Sequence, residues 1–356
     1  MEALPMTPGE GDRPRVTVLL PVHNGGAYLD AAVRSILDQT FTDFELLAID
    51  DGSTDGSGEV LRGYRDPRLR LVKNSRNFGI VETLNRGLSL ARGVYIARMD
   101  SDDISLPERF ERQAHFLDAH PEVGVVGTSG GLIDGRGESL GTFRYPLSHE
   151  AICFSLHFFN PLAHPSVMMR RKVVLSSGGY RSAGLSPGGA SFPEDYDLWW
   201  RLGDVTRMVN LPDRLLLLRK HTGTITARHM EEFRANAANI SRDRIEAILS
   251  QSVSVAVAEA MMSRRYQPVE LASEAFRTIV RLYHAYLQIG LSKGVKVEIR
   301  RKTCEELARI ALYRGNLFRV RGLFWTLARL DPTFRVAGRH LLQRIEAKVL
   351  GKPLPD

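Results

Sequence analysis

Short apolar runs alternate with helical patterns over residues 16–126, and this alternation constrains the fold more than any other sequence feature. The first run, Val16–Val22, leads directly into the turn residues His23–Gly26, as is typical of a strand buried on both faces. A later helix is predicted to start at Pro107, because proline suits a first turn. The predicted strands are Val16–Val22, Phe44–Ile49, Leu69–Val72, Val94–Ala97 and Val123–Val126. The pattern predicts an α/β fold, a doubly wound, mostly parallel sheet with helices on both faces.

The charge is distributed unevenly along the 356 residues. Residues 227–356 carry 23 Lys and Arg and 13 Asp and Glu, a net +10, so the part before them contributes −3 to the overall +7. A front part without excess positive charge argues against nucleic acid as its substrate. The basic tail suits peripheral contact with an anionic membrane or an acidic protein partner, and it equally suits a solvated helical face.

The pattern changes near Thr226, after which helical patterns dominate. We therefore predict a flexible N-terminus over residues 1–15, an α/β domain over residues 16–226 and a basic α-helical C-terminal domain over residues 227–356. Within the last, Leu307–Leu330 resembles one tetratricopeptide-type hairpin, although that architecture needs stacked repeats. The Gly-, Ser- and Pro-rich segment Ser182–Phe192 predicts a loop.

The sequence indicates neither a signal peptide nor a membrane span. Residues 1–15 lack an apolar core of signal-peptide length, and the weakly charged stretch Ile248–Met262 is short and interrupted by polar residues. The two cysteines, Cys153 and Cys304, match no metal-site spacing, which fits a reducing compartment. We expect a cytoplasmic protein, either soluble or peripheral at the inner face of the membrane.

Carboxylates crowd the ends of two predicted strands. They are Asp50, Asp51, Asp100, Asp102 and Asp103. In an open α/β sheet, ligands bind beyond the carboxyl ends of the strands. Like charges at close range repel, so a divalent cation or donors such as base N–H groups and ribose hydroxyls are expected to offset them. Such oxygen ligands suit Mg²⁺ or Mn²⁺. Alternatively, these carboxylates cap the helix that follows, a role that suits Asp103 best.

The two common glycine-rich phosphate-binding patterns do not follow the first strand. There is no G-x-x-x-x-G-K-[ST] and no G-x-G-x-x-G there, and Asn24–Gly26 is only a turn. A diphosphate held through a metal ion at the carboxylate-rich strand ends is the interpretation that remains.

Seven motifs, in order along the chain, resemble family 2 glycosyltransferases. They are Val16–Asn24, Ser35–Phe41, Ile49–Asp55, Tyr95–Asp103, His164–Met168, Glu194–Trp199 and Leu217–His221. The resemblance covers about residues 16–226. It implies the GT-A fold and inverting transfer from a nucleoside-diphosphate sugar to the hydroxyl of a glycan, lipid-linked or other acceptor. It also implies a divalent cation, Mn²⁺ or Mg²⁺, and a role in cell-surface polysaccharide or glycan biosynthesis.

The resemblance also implies roles for particular residues. Pro21 and Val22 line the base through their backbone, and Asp51, beside Asp50, accepts from a base N–H. Asn77 contacts the nucleoside, and Asp100 faces the ribose. A uridine base is favoured, because Asp51 would pair with an imide N–H. Thymidine satisfies the same contact, and guanosine stays open.

For the reaction itself, the resemblance implies Asp195 as the catalytic base and Asp102 with His221 as metal ligands. Asp195 alternatively caps the helix that follows it, and His221 alternatively is a hydrogen-bonded structural residue. Asp103, Glu194 and Trp199 are candidate acceptor-site or supporting residues. Asp197 is expected to face away from the site. Of the adjacent Trp199 and Trp200, one is expected in the core and one beside the acceptor.

The chain departs from the family pattern at three places. Ser101 stands where Ala is usual, and His23 stands where Tyr is common, with its side chain expected to point away from the metal. The loop before Glu194 is longer than usual and is expected to lie over the acceptor.

Two other functions compete with this interpretation. A sugar-nucleotide nucleotidyltransferase would need a Gly-rich, basic phosphate loop, which this sequence lacks after the first strand. A non-catalytic nucleotide-sugar-binding scaffold would use the helical tail to recruit partners. The presence of both Asp102 and Asp195 favours the enzyme.

Overall fold

The structure is a computed structural model that describes residues 13–181, 193–221, 230–263 and 267–312. The chain divides into two compact units. One comprises Met1–His149 and Pro161–His229, and the other comprises Glu150–Asn160 and Met230–Asp356. The predicted boundary near Thr226 lies outside the described residues, and the division into domains stays a prediction.

The first unit is built on a nine-stranded mixed sheet in which most paired residues belong to parallel strands. The strands are β1 Val16–Val22, β2 Phe44–Asp50, β3 Leu69–Lys73, β4 Tyr95–Arg98, β5 Ile104–Ser105, β6 Val123–Ile133, β7 Ser139–Phe143, β8 Met168–Arg170 and β9 Arg207–Arg219. Their order is β3-β2-β1-β4-β8-β6-β9-β5, and β7 pairs with β6. The predicted α/β fold class is confirmed, and each of the predicted strands is present.

Helices cover both faces of this sheet. They are α1 Leu29–Leu37, α2 Ser57–Gly63, α3 Ile80–Leu90, α4 Arg109–Ala119, α6 Arg171–Ser176 and α7 Glu194–Gly203, with 3₁₀ turns at Gly26–Tyr28 and His164–Ser166. Val18 and Leu20 of β1 share a core cluster with residues of α1, α2 and α4. Leu19, between them, faces the opposite side and lies against Gly87 of α3. Because successive side chains of a strand point to opposite faces, α3 covers the other face.

The segment after β4 differs from the sequence prediction. Helix α4 begins at Arg109, and Pro107 precedes it. Before it comes the short strand β5, which pairs with Leu216 and Leu217 of β9. The register of this pair brings residues 102–105 next to the end of β9.

The second unit is helical. It contains α8 Met230–Leu249, α9 Val255–Met262, α10 Val269–Leu287 and α11 Lys293–Leu312, together with most of α5 His149–Leu156. Buried residues of α10, spaced three or four apart, form a stripe that packs into one core with the other helices. The stripe consists of Ala272, Ala275, Phe276, Ile279, Leu282, Tyr283 and Tyr286. Ser254 caps α9 by accepting from the Val257 N–H.

Most of the predicted tetratricopeptide-type hairpin, Leu307–Leu330, lies outside the described residues. Within the described ranges, the helices are all too short or too polar to span a bilayer.

Candidate active site

The carboxyl ends of β1, β2 and β4 meet where the strand order changes direction. Strand β1 pairs with β2 on one side and with β4 on the other, all in parallel. The N–H of Asp51 donates to the carbonyl of Val22 over 2.7 Å, and Pro21 lies beside Ile49 within the ladder. Such a switch point is the usual ligand-binding crevice of a doubly wound sheet.

The carboxylate of Asp51 orders the segment between β3 and α3. Its Oδ1 accepts from Asn74 Nδ2 over 2.5 Å and from the Phe78 N–H over 3.0 Å. Its Oδ2 accepts from the Gly79 N–H over 2.9 Å. These bonds use about three of the roughly four acceptor positions of a carboxylate. Asp51 is therefore a structural anchor with room for one further donor.

His23 is tied to the same segment. Its Nδ1 lies 2.9 Å from the carbonyl oxygen of Asp51, and its Nε2 lies 3.1 Å from Nδ2 of Asn77 and 3.3 Å from Nδ2 of Asn24. A carbonyl only accepts and these amide nitrogens only donate, so Nδ1 carries the proton. The ring thus joins the end of β1 to the loop that carries Asn77.

Asp50 and Gly52 shape the turn after β2. Asp50 is 1% exposed, and its Oδ1 accepts from the Ser53 N–H over 2.9 Å. Gly52 has a φ of +72°, and a Cβ added there would lie 2.6 Å from both the carbonyl carbon of Arg76 and the nitrogen of Asn77. The close approach of these two backbone segments requires glycine.

We expect Gly52→Ala to destabilise the protein by about 3 kcal/mol, since it combines a strained φ with a backbone clash. Gly56→Ala is the matched control, because Gly56 has a φ of +92° but open space around it. That variant should cost only about 1 kcal/mol. Urea unfolding measures both. Equal losses in the two variants would show that the close approach to Asn77 is unimportant.

Three carboxylates gather after β4. One oxygen from each of Asp100, Asp102 and Asp103 lies within 4.8 Å of the others. Burial raises the pKa of Asp102, and repulsion by Asp100 raises it further, while His221 opposes the shift. Burial raises the pKa of Asp103 even more strongly, followed by repulsion from Asp100 and Asp102. Burial and mutual repulsion therefore disfavour negative charge on these carboxylates, and a bound cation would offset that repulsion.

His221 and Arg219, at the end of β9, complete this cluster. His221 Nε2 lies 2.9 Å from Oδ2 of Asp102. The Arg219 N–H donates to Oδ1 of Asp103 over 2.8 Å, and its Nε donates to the carbonyl of Asp102 over 2.8 Å. Tyr28 packs against both side chains, 4.6 Å from the Arg219 guanidinium and 5.0 Å from the His221 ring.

The donor set fits a hard divalent cation. Carboxylate oxygens with a neighbouring imidazole suit Mn²⁺ or Mg²⁺. Asp102 and His221 would hold such an ion, with Asp100 close by. Asp103 already accepts from the Arg219 backbone, which makes it a support for the loop.

Helix α7 begins at the pair Glu194–Asp195. Oδ1 of Asp195 accepts from the N–H of Tyr196 over 2.7 Å. Burial raises the pKa of Tyr145 to about 12, and the charge of Asp195 adds to the shift. Burial, followed by repulsion from Asp195, raises the pKa of Glu194 to about 8. Glu194 is therefore protonated at neutral pH, beside an ionisable Asp195.

We expect Glu194→Gln to become stabilising relative to wild type as the pH rises. The pKa of Glu194 in the folded protein, about 8, lies above the ordinary 4.5. Its contribution to the free energy of unfolding is therefore fully present below about pH 4.5 and is lost as the pH rises toward 8. Gln does not titrate, so the difference grows by at most about 1.4 kcal/mol per pH unit and levels off above pH 8. Denaturant unfolding of both proteins from pH 5 to 9 measures it. A constant difference would contradict a buried, protonated Glu194.

The aromatic residues of α7 lie beneath the site. Trp199 is fully buried and Trp200 is 5% exposed. The Trp199 ring packs edge-on against His164 at 5.8 Å. The core position expected for one of the two indoles fits this burial, and a place beside the acceptor for the other stays a prediction. Asp197 accepts from Nε of Arg201 over 2.8 Å, so its carboxylate is engaged within the helix.

Comparison with known proteins identifies the family. The model of glycosyl transferase family 2 matches residues 17–178. The O-antigen biosynthesis glycosyltransferase WbnJ of Escherichia coli is 35% identical over 211 residues, which cover 58% of this chain and 80% of WbnJ. The chain belongs to glycosyl transferase family 2.

Two solved structures share the fold of this family 2 glycosyltransferase. The 1–349 fragment of S. aureus TarS in complex with UDP-GlcNAc has a TM-score of 0.53 at 19% identity. The match covers 96% of this chain and 93% of the TarS fragment. The mannosyltransferase PcManGT from Pyrobaculum calidifontis, in complex with GDP-Man and Mn²⁺, has a TM-score of 0.50 at 15% identity, with coverages of 87% and 90%. At such identities the likeness shows the fold alone.

The structure brings together two groups of the predicted residues of this glycosyltransferase. Asp51 and Asn77 meet at the end of β1 and β2, and Asp100, Asp102, Asp103 and His221 meet after β4. Sequence reasoning missed Tyr28, Arg98 and Arg219 as site residues. Arg98 did carry a signal, since a charge at the end of a buried apolar strand requires a partner. Tyr28 and Arg219 carried none, because their contacts depend on the pairing of β5 with β9.

Proposed function

We propose that this family 2 glycosyltransferase transfers a sugar from a nucleoside-diphosphate sugar, preferably a UDP-sugar, to an acceptor hydroxyl with inversion. The observation that carries the proposal is the cluster of three carboxylates within 4.8 Å after β4, beside His221. It lies at the same edge of the sheet as Asp51. Such an arrangement suits a nucleotide at Asp51 and a diphosphate at the metal-binding cluster.

The donor nucleotide would lie along the ends of β1, β2 and β4. Pro21 and Val22 would line the base through their backbone, with Asp50 and Asp51 beneath it. The one remaining acceptor position of Asp51 suits a single N–H, as the imide of uracil offers. Asn77 would contact the nucleoside, and Asp100 would face the ribose. The TarS complex with UDP-GlcNAc supports the choice of uridine.

Inverting transfer is an in-line displacement at the anomeric carbon of the donor. Asp195 would accept the proton of the attacking hydroxyl. Its place in the first turn of α7 supports this role, because the helix dipole favours a negative charge there. Asp102 and His221 would hold a divalent cation, Mn²⁺ or Mg²⁺, which supplies charge stabilisation to the departing diphosphate. Asp103 would support the loop over residues 100–103, the proposed metal-binding loop, through its contact with Arg219.

The acceptor is proposed to be a glycan or lipid-linked hydroxyl in cell-surface polysaccharide biosynthesis, as the similarity to WbnJ suggests. The domain division is part of this proposal: residues 16–226 catalyse, and the basic residues 227–356 contact an anionic membrane or a protein partner from the cytoplasmic side. The +10 net charge of those residues supports such a contact.

Isothermal titration with UDP, GDP and dTDP, each with Mn²⁺ and with EDTA, tests the proposal. We expect UDP to bind with Mn²⁺ and to bind at least a hundredfold more weakly with EDTA, since the carboxylate cluster otherwise repels the diphosphate. Binding of GDP alone would replace uridine by guanosine in the proposal. An absence of binding by all three nucleotides would contradict transfer from a nucleotide sugar and favour a scaffold.

A further inference from the structure

Arg98 is a buried cation at the end of β4. The residue is 4% exposed although it carries a charge. Its backbone is held on both sides: the N–H donates to the Val167 carbonyl over 3.0 Å, and the carbonyl accepts from Nη2 of Arg109 over 2.7 Å. A guanidinium whose backbone is fixed in this way has few positions available to it.

The side chain of Arg98 contacts the carboxylate cluster after β4. Its Nη1 forms an ion pair with Oδ2 of Asp100, whose side chain is 36% exposed. Burial by itself would lower the pKa of Arg98, but attraction by Asp100, and more weakly by Tyr180 and Glu194, raises it. Arg98 therefore stays charged and lies between the metal-binding loop and the start of α7.

Asp100 is the carboxylate in direct contact with the Arg98 guanidinium. Glu194 is protonated, because burial and Asp195 raise its pKa to about 8. His164 is neutral, because burial and Arg98 hold its pKa well below the ordinary value, and its Nε2 lies 2.9 Å from the hydroxyl of Tyr180. Within the described ranges, neither Nε nor Nη1 of Arg98 makes a hydrogen bond, so the Nη1 contact with Asp100 is an ion pair. The guanidinium thus directs its charge chiefly at Asp100.

We propose that Arg98 is a positioning residue that fixes the carboxylate of Asp100 toward the donor nucleotide. This rests on the proposed function, in which Asp100 faces the ribose. Asp100 extends from a loop toward solvent, and its carboxylate would otherwise sample several rotamers and be repelled by Asp102 and Asp103. The ion pair with the buried Arg98 selects one orientation of this carboxylate and offsets the repulsion. Lysine would supply the charge without the planar fork.

A double-mutant cycle on Arg98 and Asp100 tests the role, with UDP and Mn²⁺ as the probe. We expect Arg98→Met and Asp100→Asn each to weaken UDP binding roughly tenfold, the size of one charge-assisted contact. The double variant should bind within twofold of the weaker single variant, because both changes remove one interaction. Arg98→Lys should fold like wild type and recover part of the loss. Additive losses, or unchanged binding in both Arg98 variants, would overturn the proposal.

Arg170→Met is the matched control for structural damage. Arg170 ends β8 opposite Tyr95, at the other end of β4, and its guanidinium donates to the carbonyls of Val123, Leu117 and His120. Its loss should lower the melting temperature while leaving UDP affinity within twofold. An equal loss of affinity in Arg170→Met would show that Arg98 acts only through stability. If the wild-type protein binds no nucleotide, the proposed function itself fails. If it binds UDP and the Arg98 variants bind UDP equally well, only the role of Arg98 fails.

Discussion

Asp195→Asn is expected to lower the rate of sugar transfer about a thousandfold while leaving UDP affinity within twofold. An amide cannot accept the proton of the attacking hydroxyl. It can still accept from the Tyr196 N–H, as the carboxylate does over 2.7 Å, so the start of α7 should keep its structure. The rate is measured as UDP release from a panel of UDP-sugars, with a glycan fraction or water as the acceptor.

Asp197→Asn is the control on the same helix. The variant removes the same charge, but the carboxylate of Asp197 is engaged by Arg201 in an ion pair. Its rate should stay within threefold of wild type. A loss below tenfold in Asp195→Asn, or equal losses in the two variants, would mean that Asp195 only caps α7.

Strands β1 to β4 could be predicted from the sequence because each is a local signal. Val16–Val22 and Phe44–Asp50 are buried at every position, and a short, mostly apolar run ending at turn residues is typical of such strands. The same reasoning placed Asp51 and Asp102 at strand ends. Local pattern and tertiary position agree there, so the prediction needed no knowledge of distant contacts.

Strand β9 could not be predicted in the same way. It spans Arg207–Arg219 but contains Pro212, Asp213 and Arg214, and its register with β6 shifts near them. Those residues disfavour a regular strand locally, and pairing with β6 overrides them. The side chains that reach the site from the end of β9 depend on this pairing. The roles of Arg219 and Tyr28 were therefore invisible in the sequence.

Trp199 shows a different limit of sequence reasoning. Adjacent tryptophans on a helix point in different directions, and the aromatic face of one was expected at the acceptor. The structure buries both indoles, with Trp199 packed edge-on against His164 and Trp200 packed edge-on against Tyr196. Burial of a residue in the first turns of a helix depends on what packs across it, which helical periodicity does not specify.

The second large effect is expected from Asp102→Asn, which should abolish the dependence of UDP binding on Mn²⁺. The change removes one negative ligand from a cluster that otherwise attracts the cation, so we expect Mn²⁺-supported UDP affinity to fall at least a hundredfold. Titration of UDP with Mn²⁺ and with EDTA measures this. Wild type should also gain thermal stability when UDP and Mn²⁺ are added together, and the variant should not.

The stability of the metal-free protein separates this loss from misfolding. Burial and Asp100 raise the pKa of Asp102, so its charged form destabilises the metal-free fold at neutral pH. Removing that charge should leave the metal-free variant at least as stable as wild type, even though it has lost binding. Asp213→Asn, an equal charge change at a surface ion pair with Arg112, should alter neither property. If Asp102→Asn retained Mn²⁺-dependent UDP binding within threefold, the metal would have to be held elsewhere. Mutual repulsion among the carboxylates is thus expected both to lower the stability of the metal-free protein and to create the affinity for the cation.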